Sequence, residues 1–310
     1  MATTPAASGQ NLNAGDLAIY SVLVLIWGAS FLFIEYQLGV VAPEVSIFYR
    51  YVLTVVMMVA LCLWRREPMR FPWRMHGRFV LLGLTFFSIN YNLIYQGQTH
   101  LTSGLAAILF TMCLFFTTLN ARLFLGHPMS GQVLLGGLVG LAGLLMIFSD
   151  SLFATAIDHE LTVGALFMLG AGYFVSIANV LTAKLAQLKV PSIAANTWGM
   201  FYGLLVNAAI ALVGGAPFNF DWRPGYVVSL VYLTVFSTMV GFVLYFVLVR
   251  RIGSARASYF TLLAPFVAVV LSALVEGMAI TPALILGGLA VLAGNFLAMR
   301  GARAPATGSA

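Results

Sequence analysis

Long apolar runs alternate with short polar joints along the chain, and this pattern dictates its elements. A helix needs about 20 mostly apolar residues to cross roughly 30 Å of hydrocarbon. Ten runs meet that length, near residues 17–36, 45–64, 79–97, 104–124, 132–149, 162–182, 193–213, 226–248, 255–275 and 283–299. The runs at 132–149 and 283–299 are short and glycine-rich. The expected fold class is an all-α membrane protein with ten transmembrane helices. Residues 1–16 and 300–310 are expected tails. The first tail has no Lys or Arg and no cleavage-like segment, so the first run is expected to remain a span.

Composition closes off the soluble alternatives. Apolar residues make up 61% of the 310 and charged residues 8%, with a mean hydropathy of +1.00. Soluble domains carry about 25% charged residues, and so little charge cannot coat so much apolar surface. Lipid is the expected solvent for most of the chain. The two cysteines, Cys62 and Cys113, fall inside apolar runs, which argues for packing and against a disulfide.

The net charge of +6 points to orientation, not to a nucleic-acid partner. With a cytoplasmic N-terminus, the inner side holds Arg65, Arg66, Arg70, Arg74, Arg78, Arg122, Lys184, Lys189, Arg250, Arg251, Arg256, Arg300 and Arg303. Only Arg50 and Arg223 of the 15 basic residues fall on the outer side. The positive-inside rule then puts both termini in the cytoplasm, and an inner (plasma) membrane is the expected location. Asp150, Asp158, Glu160, Asp221 and Glu276 fall outside.

Self-similarity divides the chain. The stretch Leu135-Gly136-Gly137-Leu138-Val139-Gly140-Leu141-Ala142-Gly143 matches Leu286-Gly287-Gly288-Leu289-Ala290-Val291-Leu292-Ala293-Gly294 at a separation of 151 residues. The same separation pairs Ala106 with Ala257, Phe115 with Phe266, Leu123 with Leu274 and Gly126 with Gly277. Residues 17–149 and 162–299 thus read as two five-helix repeats. Because five is odd, the second enters the membrane from the opposite side, giving an inverted pair suited to alternating access. The glycines of spans 5 and 10 are expected to let a scaffold pack closely, with a homodimer seam as the alternative.

The Trp27-Gly28-Ala29-Ser30-Phe31 start in span 1, Pro43 and Arg50 in span 2, and Ser103-Gly104-Leu105-Ala106 into span 4 carry a family resemblance. So do the Leu-Gly-Gly-Leu blocks of spans 5 and 10 and Pro265 in span 9. From about Asp16 to Arg300 the chain resembles the drug/metabolite transporter superfamily in its ten-helix EamA form. Within it, the chain looks most like the YddG-type aromatic amino-acid exporters. The resemblance implies a basket of ten helices around a central cavity and export of bulky amino acids, or of flat organic cations. Span 4 departs from the pattern, with Cys113-Leu114 where the repeat sets Ala264-Pro265, so a hinge is expected at Pro265 alone.

Transport through lipid needs polar lining, because an unpartnered polar group in hydrocarbon is costly. Span 3 is the most polar, and Asn90, Asn92 and Tyr95 are its lining candidates; bonding between helices is the alternative. Trp27, Ser30, Thr111, Tyr173, Asn179, Trp198, Tyr202, Ser237 and Tyr245 complete the candidate substrate site. Their rings suit a flat or cationic substrate. Tyr20, Trp64 and Tyr226 are expected interface anchors. Arg50, about five residues into span 2, either snorkels outward, pairs with Glu44 or Glu35, or holds a substrate carboxylate through forked hydrogen bonds. His100 is the other candidate for gating or coupling, since no carboxylate sits mid-span.

Other classes fit poorly. His76, His100, His127 and His159 lack a His-Glu-x-x-His partner, no buried acid pair stands out, and there is no phosphate-binding loop. An intramembrane enzyme or a channel is the alternative of another class. No cofactor or metal is expected. The expected partners are a small-molecule substrate and the bilayer, with the chain working as a monomer or, alternatively, a dimer.

Overall fold

A computed structural model describes residues 13–126, 130–147, 159–252, 257 and 260–301. His127, Asp150, Asp158, Arg256 and Arg303 lie outside the described residues, as do most of both tails. The ten expected spans correspond to α1 (Ala14–Glu35), α2 (Pro43–Arg65), α3 (Trp73–Gln98), α4 (Ser103–Leu125) and α5 (Gly131–Ile147), then α6 (His159–Gln187), α7 (Ser192–Val213), α8 (Pro224–Val249), α9 (Phe260–Val275) and α10 (Pro282–Gly301). Eight are long and apolar enough to cross a membrane. The described parts of α5 and α9 are shorter apolar helices of 17 and 16 residues.

Local chemistry sets the ends. Asn13 caps α1 by accepting from the Asp16 backbone N–H at 2.8 Å. Proline opens α2 and α8, where its fixed φ suits a helix start and its missing N–H costs nothing. Gly126 closes α4 at φ 69°, a conformation glycine adopts without strain. Trp64, Trp73 and Trp222 are 77–85% exposed near span ends, as interface anchors are. Tyr226 is not one of them: it is 1% exposed, and its phenol hydrogen-bonds Ser46 at 3.0 Å. Packing of α8 on α2 draws it inward.

The glycines of α5 and α10 form an intramolecular seam. A Cβ on Gly136 would strike the Gly294 carbonyl, and one on Gly294 the Gly136 carbonyl. Gly143 and Gly287 stand in the same reciprocal relation. Moving Gly136–Gly294 by the repeat separation of 151 gives Gly287–Gly143. The contact therefore maps onto itself under the shift that relates the two matching stretches. Elsewhere α1 packs on α9 and α6 on α4, while α7 lies against α2 and α3.

Two irregularities interrupt this frame. Both α3 and α8 pass through a π-helical stretch, Gly83–Ile89 and Tyr232–Val240. Shifted by the repeat separation, the first falls at 234–240, inside the second. Such turns carry wide i→i+5 bonds and frequently mark functional sites; Asn90 N–H reaches the Thr85 carbonyl, and Gly241 N–H that of Phe236.

The second irregularity reverses an expectation. Helix α9 runs unbroken through Pro265, whereas α4, which has no proline, breaks at Thr111-Met112 between Phe110 and Cys113. There Thr111 Oγ1 donates to the Ile108 carbonyl at 2.7 Å and accepts from Asn295 Nδ2 at 3.0 Å. The side chain supplies a local partner that competes with the helical ladder.

Candidate functional site

The π turn of α8 lies against α1 and α2 and gathers their polar side chains. Trp27 Nε1 donates to the Ser237 carbonyl at 2.8 Å, and Ser30 Oγ to Ser237 Oγ at 2.8 Å. Gly241 leaves room for the indole, since a Cβ there would lie 2.8 Å from Trp27 Nε1. Trp27 also packs on Phe260, Tyr245 and Phe242, with centroids 4.4, 5.8 and 6.0 Å away.

Arg50 enters the same layer from α2. It sits seven residues past Pro43, roughly 10 Å along the helix axis, and is 1% exposed. Nε and Nη2 both donate to Thr238 Oγ1, at 3.1 and 2.7 Å, and Nη2 approaches the Tyr91 hydroxyl at 3.4 Å. The guanidinium carbon stands 4.6 Å from the Tyr91 ring centroid. Arg50 thus neither snorkels outward nor pairs with Glu44 or Glu35. The α2 helix turns it toward α8, and among the described residues it has no carboxylate partner. Its Nη1 is buried without any hydrogen-bond partner among them, as is the Tyr51 hydroxyl.

The span 3 candidates diverge. Asn92 donates to Asn207 Oδ1 at 2.7 Å and Ser88 to the same atom at 3.3 Å, so this edge bonds α3 to α7. Asn207 in turn donates to the carbonyls of Gly203 and Phe87. Tyr95 donates to Gln37 Oε1 at 2.5 Å. Asn90 turns its Nδ2 back to the Phe86 carbonyl at 3.2 Å, leaving a buried Oδ1 with no hydrogen-bond partner among the described residues.

Other candidates stand apart. Trp198 and Tyr202 join His76 and Phe79 where α3 and α7 begin; Tyr202 OH lies 2.9 Å from His76 Nδ1, and Trp198 donates to the Met69 carbonyl at 3.1 Å. A cleft of about 320 Å³ there is lined by Trp73, His76 and Tyr202 among others. Tyr173 and Asn179 are exposed on α6, where Tyr173 packs on Phe116 and Asn179 donates to Thr117 of α4 at 3.1 Å. His100 pairs with Glu160 at the rim between α3 and α6. An apolar groove of about 450 Å³ between α4 and α5 includes none of the network residues.

Sequence reasoning passed over Asn207, Gln37 and Tyr51. Asn207 left a signal, a lone amide inside an otherwise apolar stretch of α7. The arrangement as a whole offers a buried cation, hydroxyls and aromatic faces between the two halves, and among the described residues no cluster able to hold a metal.

The sequence profile of the EamA-like transporter family matches the chain twice, over residues 14–149 and 162–300. The uncharacterized transporter YoaV of Bacillus subtilis is 28% identical over 70% of this chain and 72% of its own length. A probable amino-acid metabolite efflux pump of Escherichia coli is 22% identical over 93% of this chain and 95% of its own. A solved crystal structure shares the fold at a TM-score of 0.62 and 16% identity, covering 92% of this chain and 96% of that one. This chain is a multi-pass membrane protein that belongs to the EamA-like transporter family.

Proposed function

We propose that this transporter exports amino acids, aromatic or otherwise bulky, across a bacterial inner membrane by alternating access, with both termini in the cytoplasm. The observation that carries the reading is the polar layer between the halves, where Arg50, Ser30 and Trp27 of the first meet Ser237 and Thr238 of the second. A substrate taken there touches both repeats, so its binding energy can bias their relative arrangement. The rings of Trp27, Tyr91, Phe242 and Tyr245 suit a flat side chain. The E. coli relative, named as a probable amino-acid metabolite efflux pump, supports the substrate class. Membership in a family of transporters supports transport over catalysis. Flat organic cations are the second reading, favoured by those same rings.

Purified protein in liposomes tests this. Radiolabelled L-phenylalanine should exchange at a saturable rate, and Asn90→Leu or Tyr95→Leu should slow exchange in correctly folded protein. Non-saturable ion current would replace the transporter reading with a channel. Reporter fusions test orientation: a reporter active only in the periplasm should stay silent at the C-terminus.

A further inference from the structure

The polar layer contains a charge that the fold leaves uncompensated. Arg50 is 1% exposed, has no carboxylate partner among the described residues, and keeps a buried Nη1 with nothing to donate to. Burial of a cation without a counter-ion is costly, and charged groups inside a membrane protein mark substrate or ion paths. The neighbours that Arg50 does have are neutral hydroxyls and ring faces: Thr238, Tyr91, Tyr51 and Tyr95. They solvate the guanidinium in part and leave its formal charge unmatched.

Resting on the amino-acid reading of this site, we propose that Arg50 binds the carboxylate of the substrate end-on through Nη1 and so selects carboxylate-bearing substrates over cations. The side-on fork is closed, because the Nε–Nη2 edge is already spent on Thr238 Oγ1. Neither N–H of Nη1 has an acceptor among the described residues, and a carboxylate oxygen supplies the charge-assisted bond it lacks. Tyr51, whose hydroxyl also lacks a geometric hydrogen-bond partner among the described residues, stands beside Tyr91 in the same layer. The same field repels a cation brought into a low-dielectric site, which turns the flat-cation reading into a rejected substrate class. Thr238 acts as a positioning residue: it holds the occupied edge of the guanidinium and fixes which nitrogen is free.

Thermal stabilisation of purified protein, converted to apparent affinity, reads this without requiring transport. The probes are L-phenylalanine, 3-phenylpropionate, L-phenylalaninamide and tetraphenylphosphonium. The two carboxylates should bind at least about tenfold tighter than the amide, in line with a hydrogen bond to a charged group. Tetraphenylphosphonium should not stabilise the protein. Arg50→Gln should remove the acid-over-amide preference. If Arg50→Gln fails to fold, Arg50→Lys, which keeps the charge and loses Nη1, should narrow the preference without abolishing it.

Equal affinity for acid and amide in the unaltered protein overturns the anchor. So does an undiminished preference in folded Arg50→Gln, or in folded Arg50→Lys where that is the variant obtained. Binding of 3-phenylpropionate but not L-phenylalanine removes the amino-acid reading and leaves the anchor standing. Exchange of L-phenylalanine and its amide at equal rates does the reverse. Stabilisation by tetraphenylphosphonium alone, or by none of the four, overturns both.

Discussion

Arg50 of the first repeat is tied to Thr238 of the second through a single oxygen, which accepts from Nε at 3.1 Å and from Nη2 at 2.7 Å. The same hydroxyl donates to the Leu233 carbonyl five residues back, at 2.7 Å, within the π turn of α8. One side chain thus joins the buried cation, the helical irregularity and the boundary between halves.

Thr238→Val removes that acceptor and strips two donors of Arg50, Nε and Nη2, of their shared partner. The expected loss is about 2–3 kcal/mol, the scale for a buried charged group deprived of its hydrogen bonds. Thermal melts of detergent-solubilised protein measure it. Thr238→Ser should restore most of the stability, because it returns the oxygen; a Ser variant as weak as the Val variant would place the effect in the methyl group.

Close packing of α5 on α10 depends on the absence of side chains. Gly136→Leu or Gly294→Leu should abolish accumulation of folded protein, since the obstruction is backbone, which cannot move aside as a flexible side chain does. Gly131→Ala at the start of α5 meets nothing within 4 Å. It should be neutral, or stabilising by about 0.5–1 kcal/mol through the unfolded state. Monodispersity on size exclusion separates the two outcomes.

Asn207 is the hub between α3 and α7. Replacing it with Leu strands the amide of Asn92 and the hydroxyl of Ser88, with an expected cost of about 1–3 kcal/mol. A double-mutant cycle of Asn207→Leu with Asn92→Leu should be less than additive, since the two lose one shared bond. Strict additivity would show that the bond contributes nothing.

The break in α4 makes a further prediction. Asn295→Leu removes the donor to Thr111 Oγ1, and Thr111→Val removes both of that hydroxyl's bonds. The melting temperature should fall in each single variant, and the pair should couple by about 0.5–1.5 kcal/mol. Independent effects would assign the break to backbone packing instead.

Outside the spans, a hydrogen bond from Arg223 holds the Asp221 carboxyl below its ordinary range. A depressed carboxyl contributes above its unfolded pKa and loses that contribution as pH falls through the lower folded value. Protease cleavage of the α7–α8 loop should therefore increase only below about pH 4. Asp221→Asn should make it insensitive to pH across that window.

Length and apolarity alone determined the spans, because lipid leaves a polypeptide few ways to satisfy its backbone other than by winding into helices. The match of Leu135–Gly143 with Leu286–Gly294 was equally legible in the sequence, since close packing restricts both stretches to small residues. What one-dimensional order left open was direction. Arg50 was legible as a charge in span 2, yet whether it faced lipid, a glutamate or α8 depends on helix rotation and on residues 188 positions away. Asn92 and Asn90 look alike in sequence, and only the position of Asn207 makes one a bond between helices and leaves the other with a free acceptor. The proline rule pointed to Pro265. The break in α4 lies instead at Thr111, which bonds its own turn and meets Asn295 in a contact between distant spans that the sequence does not show. Hydropathy is a property of each segment by itself, and so the sequence carries it. A site is a relation between segments, and packing alone decided which side chains meet.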